Sequence, residues 1–238
     1  FFHDPNLTQL DDGTLFIAAP HWPRQSGSGK RRSLRIFRSD DAGQTWDELP
    51  TMPFEEGTPF VLDGQLLMFV QQESHRDFQI VSSDDRGFTW TQPRTVIEGP
   101  IWNISTAMVT RPDVLYWAMS NDSPEEYYHG KVMVRLDRSM SPLDPKAWSM
   151  SNVVPRPEIP SELTRNLTNE LNKVTLLVSD GSMSPLDPKA FNKSRRGAYW
   201  LEPNTVEVAG RIRVFTRCSI DRYSTANIAA VLAYDTET

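Results

Sequence analysis

Glu202 and Arg217 are the two residues whose types and spacing point most directly to chemistry. They lie in a stretch, Leu201 to Arg217, that reads as a β-hairpin turning at Ala209-Gly210. With those two residues as the turn, Glu202 falls directly opposite Arg217 on one face, where facing Cβ atoms are about 4.5–5.5 Å apart. A bulge at the turn would break that register. Such a pair is either a structural ion pair at a strand end or part of a working site. In the second case the arginine's fork of donors can grip a ligand carboxylate, and the glutamate can act as a base or support a nucleophile. The sequence leaves both readings open.

A second acid, Asp4, stands in Phe2-His3-Asp4-Pro5. Taken alone, Asp4-Pro5 reads as a turn leading into a strand, and His3 as an incidental polar residue or a proton donor. Candidate ligand contacts are Arg24 beside His21 and Trp22, then Glu73, His75 and Arg76. Trp102 beside Asn103 follows, then Asn121, and Asn204 inside the hairpin itself. Aromatics next to polar groups suit a sugar, whose flat C–H face stacks on an indole while its hydroxyls bond outward. Each tryptophan equally serves as packing between sheets.

The elements that must position these residues are short strands joined by turns. Ser39-Asp40-Asp41-Ala42-Gly43-Gln44-Thr45-Trp46 recurs as Ser83-Asp84-Asp85-Arg86-Gly87-Phe88-Thr89-Trp90, 44 residues later. A period of about 40–50 residues suits a four-stranded blade. The octet is turn chemistry: the second Asp can accept from backbone amides two residues on, Gly supplies positive φ, and the Trp can fill the wedge between sheets. Two looser turns, Ser139 to Trp148 and Ser182 to Phe191, share nine identical residues 43 apart. Strands are expected at 15–19, 33–38, 58–62, 65–71, 78–82, 101–109, 114–119, 131–136 and 173–179, and a helical turn at 161–172. Hairpin turns are expected at Asp12-Gly13, Asp63-Gly64 and Ala209-Gly210.

Composition narrows the classes. The 238 residues include 18 Pro and 12 Gly, as in chains of many short strands, and a hydrophobic content of 38%, enough for one large core. A formal net charge of −6 argues against nucleic acid and anionic membrane as partners. The single cysteine, Cys218, allows no intrachain disulfide and no cysteine metal site. No apolar run approaches the roughly 18 residues of a membrane helix.

The two octets match the Ser-x-Asp-x-Gly-x-Thr-Trp box of the sialidase superfamily at every fixed position, through Ser39, Asp41, Gly43, Thr45 and Trp46 and through Ser83, Asp85, Gly87, Thr89 and Trp90. The chain from Phe1 to Tyr234 resembles bacterial sialidase-like (BNR-repeat) proteins. Its Leu143 to Trp148 turn and its Trp200 to Glu202 hairpin start match theirs. The resemblance implies an all-β propeller of four-stranded antiparallel blades, six in the full protein, with a pocket on the axis. About five blades' worth of chain is present, so residues 1–238 are expected to form one domain, incomplete at one or both ends. The implied activity is sialidase-like hydrolysis of a terminal sugar, acidic or neutral. Glu202 would partner a nucleophile, Arg217 would belong to a carboxylate-binding arginine triad, and no cofactor or metal is involved. The implied partner is a carbohydrate and the implied location extracellular or periplasmic.

Two positions depart from that pattern. His3 stands where the family's first blade has an arginine, and no Asp or Glu occurs between Asp12 and Asp40, where the acid/base aspartate would sit. The chain also resembles five-bladed arabinanase-type glycosidases, which place a catalytic aspartate in an Asp-Pro at the start of blade one. On that resemblance Asp4 and Glu202 form the two-carboxylate pair of glycoside hydrolysis. A glycan-binding propeller without catalysis and a purely structural propeller are the remaining readings.

Overall fold

The strand β6 (Gln65–Gln71) runs Gln-Leu-Leu-Met-Phe-Val-Gln without the usual apolar-polar alternation. Such a run belongs to a strand covered on both faces, and that is its place. In the computed structural model, which describes residues 2–23, 32–72, 77–102, 105, 107–123, 126–155, 175–177, 183–185, 199–219 and 228–235, Leu66, Met68 and Val70 face one neighbouring sheet. Leu67 and Phe69 face the other.

The sheets follow one another along the chain as antiparallel meanders. The first joins β1 (Asn6–Gln9), β2 (Leu15–His21), β3 (Ser33–Ser39) and β4 (Asp47–Met52) in that order. The second joins β5 (Glu56–Leu62), β6, β7 (Phe78–Ser83) and β8 (Arg94–Ile97). In the third, the expected single strand at 101–109 is interrupted: β9 (Ile101–Trp102) and β10 (Val109–Thr110) both pair β11 (Val114–Ser123). That strand pairs β12 (Glu126–Asp137), which carries β13 (Trp148–Met150) and β14 (Val154–Pro155). A two-stranded sheet, β15 (Thr175–Leu177) with β16 (Met183–Pro185), precedes the last sheet. This is β17 (Tyr199–Val208), β18 (Arg211–Ser219) and β19 (Ile228–Tyr234). The first two sheets are the four-stranded antiparallel blades expected of a propeller. The third is such a blade with two of its strands split, since β9 and β10 share one side of β11 and β13 and β14 share one side of β12. The helical turn expected at 161–172, and most of the second looser turn, lie outside the described residues.

Packing between sheets supplies the core. Phe16, Ala18, Leu34 and Ile36 of the first sheet meet Leu66, Met68, Val70 and Val81 of the second. The second and third sheets enclose Trp117, which is 0% exposed. Its indole meets Phe60, Phe69 and Phe78 edge-on at centroid distances of 5.5, 5.9 and 5.7 Å, the arrangement aromatic quadrupoles favour. The other face of β11 presents Val114, Tyr116 and Ala118 to Ile212 and Val214 of β18, so the β17–β19 sheet packs directly on the third sheet. Arginines also bridge successive sheets at one rim: Arg86 reaches Asp12 at 2.8 Å, and Arg138 reaches Asp63.

Both octets fold as turns. Thr45 donates through its N–H (2.8 Å) and its hydroxyl (2.6 Å) to the Asp41 carboxylate, and Ser39 Oγ accepts from the Gly43 amide at 2.8 Å. Thr89, Asp85, Ser83 and Gly87 repeat this pattern. The amide that the Asp side chain receives is thus four residues on, not two, because the turn is wider than an Asx turn. The two indoles differ: Trp90 packs on the first core near Phe16 at 5.7 Å, whereas Trp46 is 37% exposed.

Two outcomes follow for stability. Gly87 has φ +93°, and a Cβ there would lie 2.3 Å from Phe16 Cε2, whereas Gly13 has φ +90° with nothing within 4 Å. Gly13→Ala should therefore cost about 1–2 kcal/mol of backbone strain, and Gly87→Ala a further ~1–3 kcal/mol of overpacking, read from urea unfolding. The Thr45 hydroxyl and amide and the Ser39 hydroxyl pull the Asp41 carboxyl down to about 2. A carboxylate depressed on folding contributes stability that is complete above its unfolded value, near ~3.9, and is lost as pH falls towards 2. Asp41→Asn should flatten the melting-temperature profile within that window and leave its shape above it unchanged.

Candidate functional site

The starts of the inner strands gather the candidate chemistry at one end of the sheets. Asp4 precedes β1, and the His3 amide donates to the Pro20 carbonyl at 2.9 Å, tying the chain's beginning to β2. Gln71, paired with Glu56 across β5 and β6, donates its side-chain amide to the Ile101 carbonyl at 2.7 Å. Thr205 of β17 donates its amide to Ala107 at 3.1 Å and accepts from the Ala118 amide at 2.8 Å.

The hairpin places Glu202 differently from its expected register. From Val208 opposite Arg211 to Asn204 opposite Phe215 the pairing is that of a two-residue turn. Beyond Asn204 it slips, and Leu201, not Glu202, faces Arg217. The bulge sits at the far end of the hairpin, not at its turn. Pro203 explains it, since a residue without an N–H cannot continue the ladder and is accommodated at a bulge. Glu202 still meets its partner: Oε1 lies 2.7 Å from Arg217 Nη2.

Backbone strain singles out two acids. Six non-glycine residues have positive φ among those described. Ala42, Asp63, Arg86 and Ala209 each precede a glycine in a tight turn. Asp4 (φ +40°) and Glu202 (φ +53°) do not, and each precedes a proline instead. A left-handed non-glycine residue outside a glycine turn costs of order 1–3 kcal/mol and is typical of working sites.

Electrostatics join the two. Burial pushes the Glu202 carboxyl up, Arg217 opposes this, Asp4 raises it further and His3 lowers it. His3 Nδ1 is itself bonded to Asp4 Oδ2. The His3 ring stacks on Trp22 at 4.4 Å with planes 6° apart, and the Arg32 guanidinium lies 4.0 Å from the centre of that indole. Arg32 in turn pairs Glu55 at 3.0 Å. Side chains of Glu202 and Asp4 are about a third exposed, at 32% and 34%, so a ligand can reach both.

The structure therefore brings together His3, Asp4, Asn204, Glu202 and Arg217. Trp102 lies at the same end, opposite Ser120, but is 9% exposed, an enclosed indole rather than an open platform. Arg24, Glu73, His75, Arg76 and Asn103 lie outside the described residues. Sequence reasoning missed Ser105, which sat within a supposed strand, and Arg32 and Glu55, which no motif marked. A groove of about 870 Å³ lies apart from these residues, lined by Arg111, Tyr116, Arg135 and Tyr234 among others. Among the described residues no group of His, Cys, Asp and Glu is disposed to hold a metal ion, and no helix is long and apolar enough to cross a membrane.

Solved structures share this fold. The α-L-arabinofuranosidase of Lactobacillus brevis superposes with a TM-score of 0.57 at 13% identity, over 98% of this chain and 73% of its own. The α-L-arabinanase of Penicillium chrysogenum, solved with arabinobiose, gives 0.52 at 14% identity, over 98% and 66%. A Dyadobacter fermentans protein of unknown function gives 0.58 at 15%, over 99% and 66%. The fold is that of β-propeller glycosidases. The named enzymes among these matches are arabinanase-type propeller glycosidases, and the expected sialidase resemblance finds no support in them. The chain spans about two thirds of the length of the arabinanase. No family model matches the sequence, and no curated protein matches it either.

The Glu202 environment is directly measurable. Its titration midpoint, followed by carbon NMR of carboxyl-labelled glutamate, should rise in Arg217→Ala, which removes the favourable cation. It should fall in Asp4→Asn, which removes the neighbouring negative charge.

Proposed function

We propose that the protein is a glycoside hydrolase of the arabinanase type, with Asp4 and Glu202 as its two carboxylates. The observation that carries this reading is the convergence of two strained, proline-preceding acids from opposite ends of the chain. Glycoside hydrolysis needs one carboxyl that keeps its proton to release the leaving sugar and another that stays ionised to activate water or attack the anomeric carbon. Glu202, raised by burial and by Asp4, is suited to the first role. Asp4, oriented by His3, takes the second. Arg217 fixes one Glu202 oxygen and leaves the other to face the substrate.

A neutral pentoside fits better than a sialoside. His3 replaces the arginine of the sialidase pattern, and the Arg217 guanidinium is already engaged by Glu202. The likeness to an arabinofuranosidase and an arabinanase points the same way.

The test is a screen of the full-length protein on aryl α-L-arabinofuranosides, β-D-xylosides and α-sialosides, beside Glu202→Gln and Asp4→Asn. Turnover of an arabinofuranoside that drops by about 10³-fold in each variant is expected, within the usual range for removed acid or base catalysis. No turnover on any glycoside, with glycan binding lost in Arg217→Ala, would establish a lectin-like propeller instead.

A further inference from the structure

The bulge that carries Glu202 is held from behind by side chains with no place in the chemistry itself. Trp117, enclosed by Phe60, Phe69 and Phe78, donates its indole N–H to the Ser105 carbonyl at 2.9 Å. Ser105 Oγ accepts from the Ala107 amide at 3.1 Å and donates to Asn204 Oδ1 at 2.6 Å. Asn204 then donates its Nδ2 to the Glu202 carbonyl at 2.8 Å. Three hydrogen bonds thus run from a wholly buried indole of the core to the backbone of the strained acid, and the Ala107 amide steadies Ser105 from the side. Both ends of the Asn204 amide are committed to this chain, which sets it apart from a free ligand contact.

We propose that Ser105 and Asn204 are positioning residues that, anchored on Trp117, hold Glu202 in its left-handed bulge conformation and so aim its carboxyl at Arg217 and towards Asp4. The proposal deepens the glycosidase reading and rests on it for the importance of Glu202. The physical reason is that a left-handed non-glycine residue persists only where its surroundings over-determine it. The bulge leaves Glu202 outside the paired register of the hairpin, and the Asn204 amide ties down its carbonyl. A hydroxyl donating at 2.6 Å fixes which way that amide points.

The test reads Glu202 in the unliganded full chain. Its titration midpoint is measured by carbon NMR of carboxyl-labelled glutamate, the resonance being assigned by its loss in Glu202→Gln. In Ser105→Ala and in Asn204→Ala the released carboxyl is expected to relax towards solvent, with the midpoint falling towards the ordinary glutamate value. Ser105→Thr, which keeps the hydroxyl, is expected to hold the wild-type midpoint. Melting temperature and near-ultraviolet dichroism select the variants that are folded, and either alanine variant suffices. An unchanged midpoint in a folded alanine variant would overturn the proposal. Because no substrate is used, a protein inert towards every glycoside would sink the activity reading and leave this result standing.

Discussion

The burial of Trp117 between two sheets is the constraint on which the rest depends. One face of β11 gives the indole to a cage of three phenylalanines, and the other gives Tyr116 and Ala118 to the β17–β19 sheet. The strand therefore fixes both neighbours at once. Its indole N–H, which a wholly apolar pocket would leave unpaired at a cost of about 1–3 kcal/mol, is satisfied by Ser105. The polar tip of the largest core side chain becomes the first support of the polar end of the sheets. Packing and chemistry meet in one residue.

Strain is distributed accordingly. The tight turns absorb positive φ at residues next to glycine, where the neighbouring backbone turns freely. The two acids receive no such relief, and surrounding bonds hold them: His3 on Asp4, Arg217 and Asn204 on Glu202. Two like-charged groups drawn into half-buried proximity would repel. The histidine on one side and the arginine on the other oppose that, and with Asp4 these three residues are the ones that influence the Glu202 carboxyl beside its burial.

Much of the fold was legible because turn and strand chemistry are local. The octets, the Ala209-Gly210 turn and the run of β6 each declare their geometry in a few consecutive residues. The site was legible only in part. The Glu202–Arg217 pair was visible, but its register was not, because Pro203 acts on the ladder rather than on the turn where a bulge was looked for. Ser105 was hidden inside a presumed continuous strand, and its partner is 99 residues away, a distance no spacing argument spans. Trp102 offered the right chemistry for a sugar, but burial on the folded sheet decides whether an indole faces a ligand, and one sequence carries no signal for that. Asp4 entered through family resemblance. Its left-handed backbone is a property of the tertiary structure alone.

The arginine bridges between successive sheets, Arg86 to Asp12 and Arg138 to Asp63, have a consequence for how such a chain can change. Each links one sheet to its immediate predecessor, as the aromatic contacts do, so cohesion here is a sum of nearest-neighbour couplings along a one-dimensional array. A duplicated or lost unit then exchanges two interfaces and leaves the others as they were. Such an architecture tolerates lineages that copy or drop a blade.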